Sequence, residues 1–417
     1  MAIIKPFAAV RPTPELAMYV ASLPYDVMNT EEARNMADGN PNSFLHVSRA
    51  EIDLPEGTDE HSTEVYERAR DNFYKLMNDG VLFQDAYPFL YIYEQIMGGR
   101  RQTGLVACSS VEDYFNGVIK KHELTRPEKE EDRIHHMETL QAHVGPIFLT
   151  YPKTISVDEI VDEIMEKNEP VYNILSTDGV RHAVWAINDS DKTEQLISIF
   201  NEQIPFTYIA DGHHRTASAA KVGLKMKEQN PNHDGTEEYN FFLSVLFPDD
   251  QLEIMDYNRV VKDLNGLNEE EFLMRVKELF QITGERLQAE NAKPSKLHEF
   301  AMYLNKTWYN LEAKKEIIKT DPIGILDITI LQDNILSPLL GIKDPRTDKR
   351  IDFVGGIRGL KELERRVDSG EMKVAFALYP VSLKQLMDIA DSGNIMPPKS
   401  TWFEPKLRDG LFSHLFE

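Results

Sequence analysis

The sequence predicts an α+β fold, and three observations carry that prediction. Apolar runs rich in β-branched and aromatic residues alternate with stretches of helical spacing along the whole chain. Residues 88–110 hold two such runs around a Gly-Gly turn, the pattern of a β-hairpin. With 417 residues and 41% hydrophobic content, the chain is long enough for two or three domains. We expect an N-terminal α+β region with the hairpin at 1–115, a central region at 116–250 and a C-terminal α+β domain at 251–417.

The N-terminal region begins with short elements separated by prolines. Residues 3–10, IIKPFAAV, predict a strand. Residues 29–39 predict a helix that Asn29 or Thr30 would cap, because acidic residues follow in its first turn. A longer helix is expected over 60–80, where the last residue, a glycine, would end it.

The central region alternates strand and helix patterns. The expected elements are, in order, a short strand at 118–125, a helix at 126–145 ended by a glycine, a strand at 146–152, a helix at 156–168, a strand at 181–188, a strand, turn and helix at 203–231, and paired strands at 238–261.

Charge and cysteine content exclude several classes of function. Lys and Arg number 46 against 69 Asp and Glu, a formal net charge of -23. Such a surface repels phosphate backbones, and no basic patch offsets it, so nucleic-acid binding is not expected. The single cysteine, Cys108, excludes an internal disulfide framework and any Cys-based zinc site.

Targeting signals are not evident in the sequence. The opening MAIIKPFAAVRPTPE lacks the long apolar core of a signal peptide, and no run approaches the length of a membrane span. We therefore expect a cytoplasmic protein that does not associate with a membrane.

The most informative stretch is FTYIADGHHRTASAAKV at 206–222, where an apolar strand leads into an alanine-rich helix. The first N–H groups of a helix have no intrahelical partner and carry partial positive charge, so they favour an anion. Glycine permits the sharp turn, arginine offers a fork for phosphate oxygens, and threonine adds a hydroxyl. The turn predicts a phosphate-binding site made by Gly212, His213, His214, Arg215 and Thr216.

Asp211 does not suit a phosphate, because two anions repel each other. It fits better as a metal ligand, or as the group that orients a histidine or a substrate hydroxyl. The structural alternative is that Asp211 caps the helix, Arg215 pairs with surface acids and the histidines pack. The combination of these residues at one strand-to-helix junction favours the functional interpretation.

The motif Asp-Gly-His-His-Arg at the start of a helix resembles the signature of the free-serine kinases of the ParB/sulfiredoxin-like fold. Those enzymes carry a His-Glu dipeptide upstream, which is similar to His122-Glu123 here, with Arg133 following in the next helix. The resemblance implies that Glu123 is the catalytic base, which takes a proton from the substrate hydroxyl as it attacks a phosphoryl group. The chain departs from the small kinases in a long insertion between 146–152 and 206–215.

Nearly the whole chain also resembles a widespread bacterial family known only as a domain of unknown function. The residues that carry this resemblance are LPYDV at 23–27, HELT at 122–125, DGHHR at 211–215 and MPPKSTWFEPK at 396–406. Tyr25 and Asp26 of the first motif are either substrate-binding residues or part of a structural turn. Lys399 is the best candidate for a phosphate contact in the last motif, which could equally be a tail packed on the core.

Two further kinds of site, a zinc-binding helix and a glycine-rich nucleotide loop, are not predicted by the sequence. His135, His136 and His143 lack the spacing of a zinc-protease helix, so we expect them to pack or to lie on the surface. No GxxxxGK[ST] loop and no GxGxxG after a strand occurs, so a nucleotide would bind at the helix N-terminus instead.

Together these features predict a phosphotransferase of the free-serine-kinase type, with L-serine as the first acceptor to try, ATP or ADP as the donor and Mg²⁺ held by Asp211. The same site would serve a phosphoserine phosphatase, and a non-catalytic nucleotide-binding switch like the CTP-binding members of the fold is the other alternative. The chain could act as a monomer or as a homodimer. The expected roles are catalytic for Glu123, Asp211 and His213, phosphate- or nucleotide-binding for Gly212, His214, Arg215, Thr216 and Lys399, and substrate-binding for His122, Arg133, Tyr25 and Asp26.

Overall fold

The computed structural model describes residues 1–416 and divides into two compact units. The first unit comprises Met1–Leu252 together with the residues that follow position 404, and the second comprises Glu253–Glu404. The break lies close to the domain boundary that the sequence predicts near 250. The structure divides the chain differently in two respects: no break separates 1–115 from 116–250, because strands from both regions share one sheet, and residues 405–416 rejoin the first unit.

Strands and helices follow one another throughout the described residues, which gives a mixed α and β structure. The strands are β1 (Ile4–Lys5), β2 (Val10–Pro12), β3 (Leu82–Gln84), β4 (Leu90–Met97), β5 (Arg100–Ser110), β6 (Ile119–Lys120), β7 (Ala142–His143), β8 (Ile147–Tyr151), β9 (Tyr172–Leu175), β10 (Arg181–Ile187), β11 (Thr207–Asp211), β12 (Phe241–Pro248), β13 (Ile254–Met255), β14 (Tyr257–Val261), β15 (Phe280–Arg286), β16 (Glu299–Leu304), β17 (Thr307–Ala313), β18 (Ile351–Gly355), β19 (Val374–Leu378), β20 (Trp402–Phe403) and β21 (His414–Leu415). The α-helices are α1 (Ala17–Val20), α2 (Thr30–Ala37), α3 (Leu45–Ser48), α4 (Thr63–Asn78), α5 (Val111–Phe115), α6 (Pro127–Leu140), α7 (Ile155–Lys167), α8 (Ser190–Gln203), α9 (His213–Gln229), α10 (Glu269–Leu279), α11 (Asp327–Leu331), α12 (Gly359–Asp368) and α13 (Leu383–Asp391).

A mixed sheet of nine strands forms the centre of the first unit as far as the structure describes it. Its order is β6-β11-β8-β12-β5-β4-β10-β9, with β1 added beside β5. The strands β4 and β5 are the expected hairpin, and Gly98 and Gly99 at its tip both have positive φ. Apolar side chains from the sheet and from α7, α8 and α9 form one buried cluster, which fixes the helices against the sheet.

Two neighbouring strands of this sheet run parallel and end side by side. Thr207 of β11 is paired with Ile119 of β6, and Tyr208 with Lys120. Since parallel strands end at the same edge of a sheet, the residues after β6 and after β11 emerge close together. The structure therefore places the two motifs His122-Glu123 and 211–215 at one edge.

The segment between β8 and β11, which the sequence analysis interprets as an insertion, has a structural role in the first unit. Its helices α7 and α8 pack on the sheet, and its strands β9 and β10 extend the sheet beyond β4. The insertion thus lengthens the sheet at the side opposite β6 and leaves the edge formed by β6 and β11 intact.

The second unit contains an antiparallel sheet of its own. Its strand order among the described residues is β15-β17-β16-β19-β14-β18. Helix α12 packs on this sheet through Leu360 and Leu363, which lie in a buried cluster with Val260 and Val354. The second unit therefore has a separate core.

The ends and pairings of several elements agree only in part with the sequence predictions. Helix α2 begins where expected, and Asn29 rather than Thr30 caps it through a capping box with Glu32. Helix α6 ends earlier than its glycine predicted, because Gln141 takes a left-handed conformation with φ of 53°. The paired strands expected at 238–261 are not partners of each other: β12 pairs with β5 and β8.

Among residues 1–416, none of the helices has both the length and the apolar character that crossing a membrane requires.

Candidate active site

The edge formed by β6 and β11 brings Glu123 next to His213. One carboxylate oxygen of Glu123 lies 3.9 Å from Nδ1 of His213. This distance is longer than a hydrogen bond, so the two groups are neighbours with room for small adjustments. The Glu123 side chain is 37% exposed while that of His213 is 6% exposed. Glu123 can therefore be reached from solvent, and His213 forms the wall behind it.

A second histidine completes that wall. The ring of His122 meets the ring of His213 edge-on, with centroids 4.4 Å apart. The backbone N–H of His122 donates to Nε2 of His213 at 3.4 Å, while neither ring nitrogen of His122 has a hydrogen-bond partner. Burial lowers the pKa of His122 to about 4, and burial together with the nearby His122 lowers the pKa of His213 well below its ordinary value. Both rings are therefore neutral at pH 7, and His122 has unused hydrogen-bonding capacity.

Gly212 makes the turn from β11 into α9. Its φ of 97° lies in the region that side chains disfavour, and a Cβ there would lie 3.2 Å from Nε of Arg215. The turn therefore needs glycine because of its positive φ and because the Arg215 side chain lies so close. The helix begins at the next residue, so its first N–H groups have no partner within the helix.

The two polar residues expected beside this turn make contacts within the protein. His214 accepts a hydrogen bond at Nε2 from the backbone N–H of Arg126 at 3.1 Å. The hydroxyl of Thr216 donates to the carbonyl of Gly212 at 2.9 Å and is fully buried. The structure therefore brings His214 to the loop that carries Glu123, whereas the Thr216 hydroxyl is used inside the helix.

Arg215 turns inward rather than toward solvent. It is 5% exposed, and its Nη1 donates to the carbonyl of Pro146 at 2.7 Å. Burial opposes its charge, but Asp26, Asp211 and Asp409 outweigh that effect and hold its pKa above the ordinary value. Its Nε is buried without a hydrogen-bond partner.

Asp211 forms an ion pair that the sequence analysis did not anticipate. Its carboxylate accepts a hydrogen bond from Nζ of Lys406 at 2.9 Å. Burial alone would raise the pKa of Asp211, but Lys406, with Arg215, holds it well below its ordinary range. Lys406 was visible only as part of the motif at 396–406, and no local pattern connected it with β11.

Asp409 is a further acidic residue that sequence reasoning missed. It is 2% exposed, and burial raises its pKa to about 7 against the opposing charge of Arg215. Its Oδ1 has no hydrogen-bond partner and lies 3.2 Å from the position of a Cβ on Gly145, while Cδ of Arg215 lies 3.6 Å from the same position. The absence of a side chain at Gly145 therefore lets Arg215 and Asp409 approach each other.

Two of the expected substrate-binding residues, Tyr25 and Arg133, are in direct contact. The guanidinium of Arg133 lies 4.0 Å from the centroid of the Tyr25 ring, a cation–π contact. Arg133 also pairs with Asp132 at 2.7 Å. Asp26 is exposed, and its charge acts on both Tyr25 and Arg215. The charge of Asp26 thus acts on Arg215, which belongs to the turn.

Three other expectations concern Lys399, a metal site and the histidines at 135, 136 and 143. Lys399 belongs to the second unit, where its Nζ lies 5.8 Å from the centroid of the Tyr257 ring. In the described part of the chain, no three His, Cys, Asp or Glu side chains are grouped as a metal site. His136 and His143 are buried, as the packing interpretation predicted, while His135 pairs with Glu131 on the surface.

Several solved structures are similar to this chain. They include a free serine kinase in complex with AMP, 13% identical, with a TM-score of 0.35 over 74% of this chain and 91% of that chain. SbnI with a C-terminal truncation from Staphylococcus aureus is 11% identical, with a TM-score of 0.38 over 74% and 87%. A conserved hypothetical protein from Pyrococcus furiosus is 14% identical, with a TM-score of 0.35 over 75% and 95%.

Sequence comparison gives a family but no individual relative. No curated protein matches the chain. Residues 4–329 match the family described as Protein of unknown function (DUF1015). This range covers most of the first unit, including both motifs at the β6 and β11 edge, and part of the second. The chain therefore belongs to the DUF1015 family.

Proposed function

We propose that the chain is a nucleotide-dependent phosphotransferase that phosphorylates a small hydroxyl substrate, with free L-serine as the first acceptor to test. The observation that carries the proposal is the position of Glu123, 3.9 Å from His213, where helix α9 begins. A carboxylate open to solvent thus lies beside a helix N-terminus that favours phosphate. The proposed fold of this core is ParB/sulfiredoxin-like.

The proposed reaction needs one proton acceptor. Glu123 takes the proton from the acceptor hydroxyl, whose oxygen forms a bond to the terminal phosphorus of the donor. The bond between that phosphorus and its bridging oxygen breaks, and the shortened nucleotide leaves. His213, which is neutral at pH 7, lies beside Glu123 without a hydrogen bond to it. O-phosphoserine is the product when serine is the acceptor.

Phosphate binding is assigned to the turn. The N–H groups at Gly212 and His213 would hold the donor phosphates, with His214 beside them. The inward guanidinium of Arg215 adds positive charge beneath the turn without reaching the surface itself. Thr216 stays in the proposal as a phosphate contact, which requires its hydroxyl to leave the Gly212 carbonyl. Lys399 belongs to the second unit and is not assigned to this site.

A magnesium ion fits this site only in company with the nucleotide. One carboxylate, Asp211, is available, and Mg²⁺ is commonly bound by one or two carboxylates together with substrate phosphates and water. Lys406 already occupies one oxygen of Asp211. When bound, the ion would neutralise charge on the phosphates.

The buried charges suggest an amino acid as the acceptor. Nε of Arg215 and Oδ1 of Asp409 are both buried without partners, although they belong to groups of opposite charge. An unpaired buried polar atom is costly, and a ligand with a carboxylate and an ammonium group would supply a partner for each. Tyr25, Asp26, Arg133 and His122 are proposed to line this acceptor site.

The test has two steps. Calorimetry with ATP, ADP and CTP identifies the nucleotide, and incubation with that nucleotide and serine is followed by ³¹P NMR for O-phosphoserine. We expect binding of an adenine nucleotide and turnover that requires serine. Binding without turnover would support the nucleotide-binding switch instead, and release of phosphate from O-phosphoserine would support the phosphatase.

A further inference from the structure

The second unit contains a buried arginine whose charge is not matched. Arg259, on β14, is 2% exposed, and no described carboxylate forms an ion pair with it. Its hydrogen bonds go to backbone carbonyls, of Tyr257 and, at 2.8 Å, of Lys399. Carbonyls satisfy the N–H groups but leave the positive charge without a counter-ion, and buried charges are normally paired.

A second cation lies beside it. Nζ of Lys399 is 5.8 Å from the centroid of the Tyr257 ring, and the guanidinium carbon of Arg259 is 5.9 Å from the same centroid. Lys399 is exposed and likewise has no ion pair among the described residues. Acidic residues outnumber basic ones 69 to 46 in this chain, so two neighbouring cations without an ion pair among the described residues are unexpected.

The loop that carries Lys399 is held over Arg259. Trp402 contacts Tyr257 edge-on at 5.1 Å, and β20 pairs with β13. Lys399 itself has φ of 57°, a left-handed conformation that side chains rarely adopt. The loop therefore holds the exposed Lys399 near the buried Arg259, and the Lys399 carbonyl accepts a hydrogen bond from that arginine.

We propose that the second unit binds a phosphate-type oxyanion through Arg259 and Lys399. The planar fork of Arg259 and the ammonium group of Lys399 offer donors from two directions, which suits a tetrahedral oxyanion with more than one negative charge. The anion approaches from the exposed side of Lys399. It replaces the weak 3.4 Å contact between Nη2 of Arg259 and the Pro398 carbonyl with a charge-assisted bond. This site does not depend on the kinase reaction proposed for the first unit.

Burial supports the same conclusion. It lowers the pKa of Arg259 to about 9, whereas paired arginines of this chain such as Arg11 are shifted upward. A bound anion would reverse the shift of Arg259 and would stabilise the second unit.

The experiment uses the full chain and inorganic phosphate, titrated by calorimetry at constant ionic strength with chloride as the reference. We expect Lys399→Gln to weaken phosphate binding by roughly tenfold, because a charge-assisted hydrogen bond is lost. Arg259→Met should weaken it at least as much. Lys384→Gln is the matched control, since Lys384 lies on the surface of the same unit and pairs with Asp388; it should bind as the wild type does.

Tryptophan fluorescence localises the binding. Trp402 should respond to phosphate because it contacts Tyr257, and Trp402→Phe should remove the response while binding persists. Lys399 is exposed, so its variant tests the proposal even if Arg259→Met does not fold. If phosphate binds Lys399→Gln and Lys384→Gln equally well, or if phosphate has no effect beyond that of chloride, the proposal is overturned.

Discussion

Nδ1 of His213 and a carboxylate oxygen of Glu123 lie 3.9 Å apart, although the two residues come from distant parts of the sequence. The parallel pairing of β6 with β11 brings them together, because each residue follows the end of its strand. The proposed role of Glu123 as the general base can therefore be tested by substitution.

Glu123→Gln tests the proposed base. Glutamine keeps the shape of the side chain but cannot accept a proton at neutral pH, and general-base catalysis typically contributes about 10²–10⁴-fold, so single-turnover rates with serine should fall by that order. Nucleotide affinity, measured by calorimetry, should stay within a few-fold. Glu128→Gln, an exposed glutamate in the first turn of α6, is the control and should change neither quantity. Near-wild-type turnover in Glu123→Gln would contradict the mechanism.

Gly212→Ala tests the turn. Gly212 and Gly235 have almost equal φ, 97° and 96°, but a Cβ at Gly235 would meet nothing within 4 Å. Both alanine variants should therefore lose stability from backbone strain, on the order of 1–3 kcal/mol in urea unfolding. Only Gly212→Ala should also displace Arg215 and weaken nucleotide binding. Equal nucleotide affinities in the two variants would remove the turn from the proposed site.

Arg215→Lys separates binding from structure. Lysine keeps the charge that balances Asp211 and Asp409 but loses the guanidinium fork that reaches the Pro146 carbonyl. We expect a loss of about 1–3 kcal/mol in the free energy of unfolding. We also expect weaker nucleotide binding, because the positive charge beneath the turn moves. A stability loss with unchanged nucleotide affinity would show that Arg215 only supports the fold.

Asp409→Asn tests the buried acid through pH. Burial raises the pKa of Asp409 to about 7 from an ordinary 3.8, so between these values the folded state binds more protons than the unfolded state. The free energy of unfolding should therefore fall as pH rises through this window, with this one group contributing at most about 1.4 kcal/mol per pH unit.

Asparagine carries no titrating proton, so the variant should show a shallower decrease than the wild type across the same window. The comparison must be a difference between the two proteins, because burial also raises the pKa of Asp327 to about 7 and of Asp113 to about 6. Identical slopes in urea unfolding series would contradict a raised pKa at Asp409.

The sequence predicts some of this site well and some of it not at all. The strand-to-helix turn at 211–215 is a local pattern, and its glycine and helix start were found as expected. The inward direction of Arg215 was not predictable, because it depends on the carbonyl of Pro146, which packing brings close. Lys406 and Asp409 were missed because they follow the entire second unit in the chain and form no motif with β11.

The discontinuity of the first unit has a consequence for biosynthesis. Residues 405–416 contribute Lys406 and Asp409, and Ser413 hydrogen-bonds to Val10 near the N-terminus. A ribosome must therefore synthesise all of 253–404 before Lys406, the partner of Asp211, and Asp409, which lies near Arg215, exist. Until then the nascent chain carries Asp211 without its ammonium partner, and a product that stops before 405 would keep that defect. Completion of the candidate active site would thus report that translation has passed the second unit.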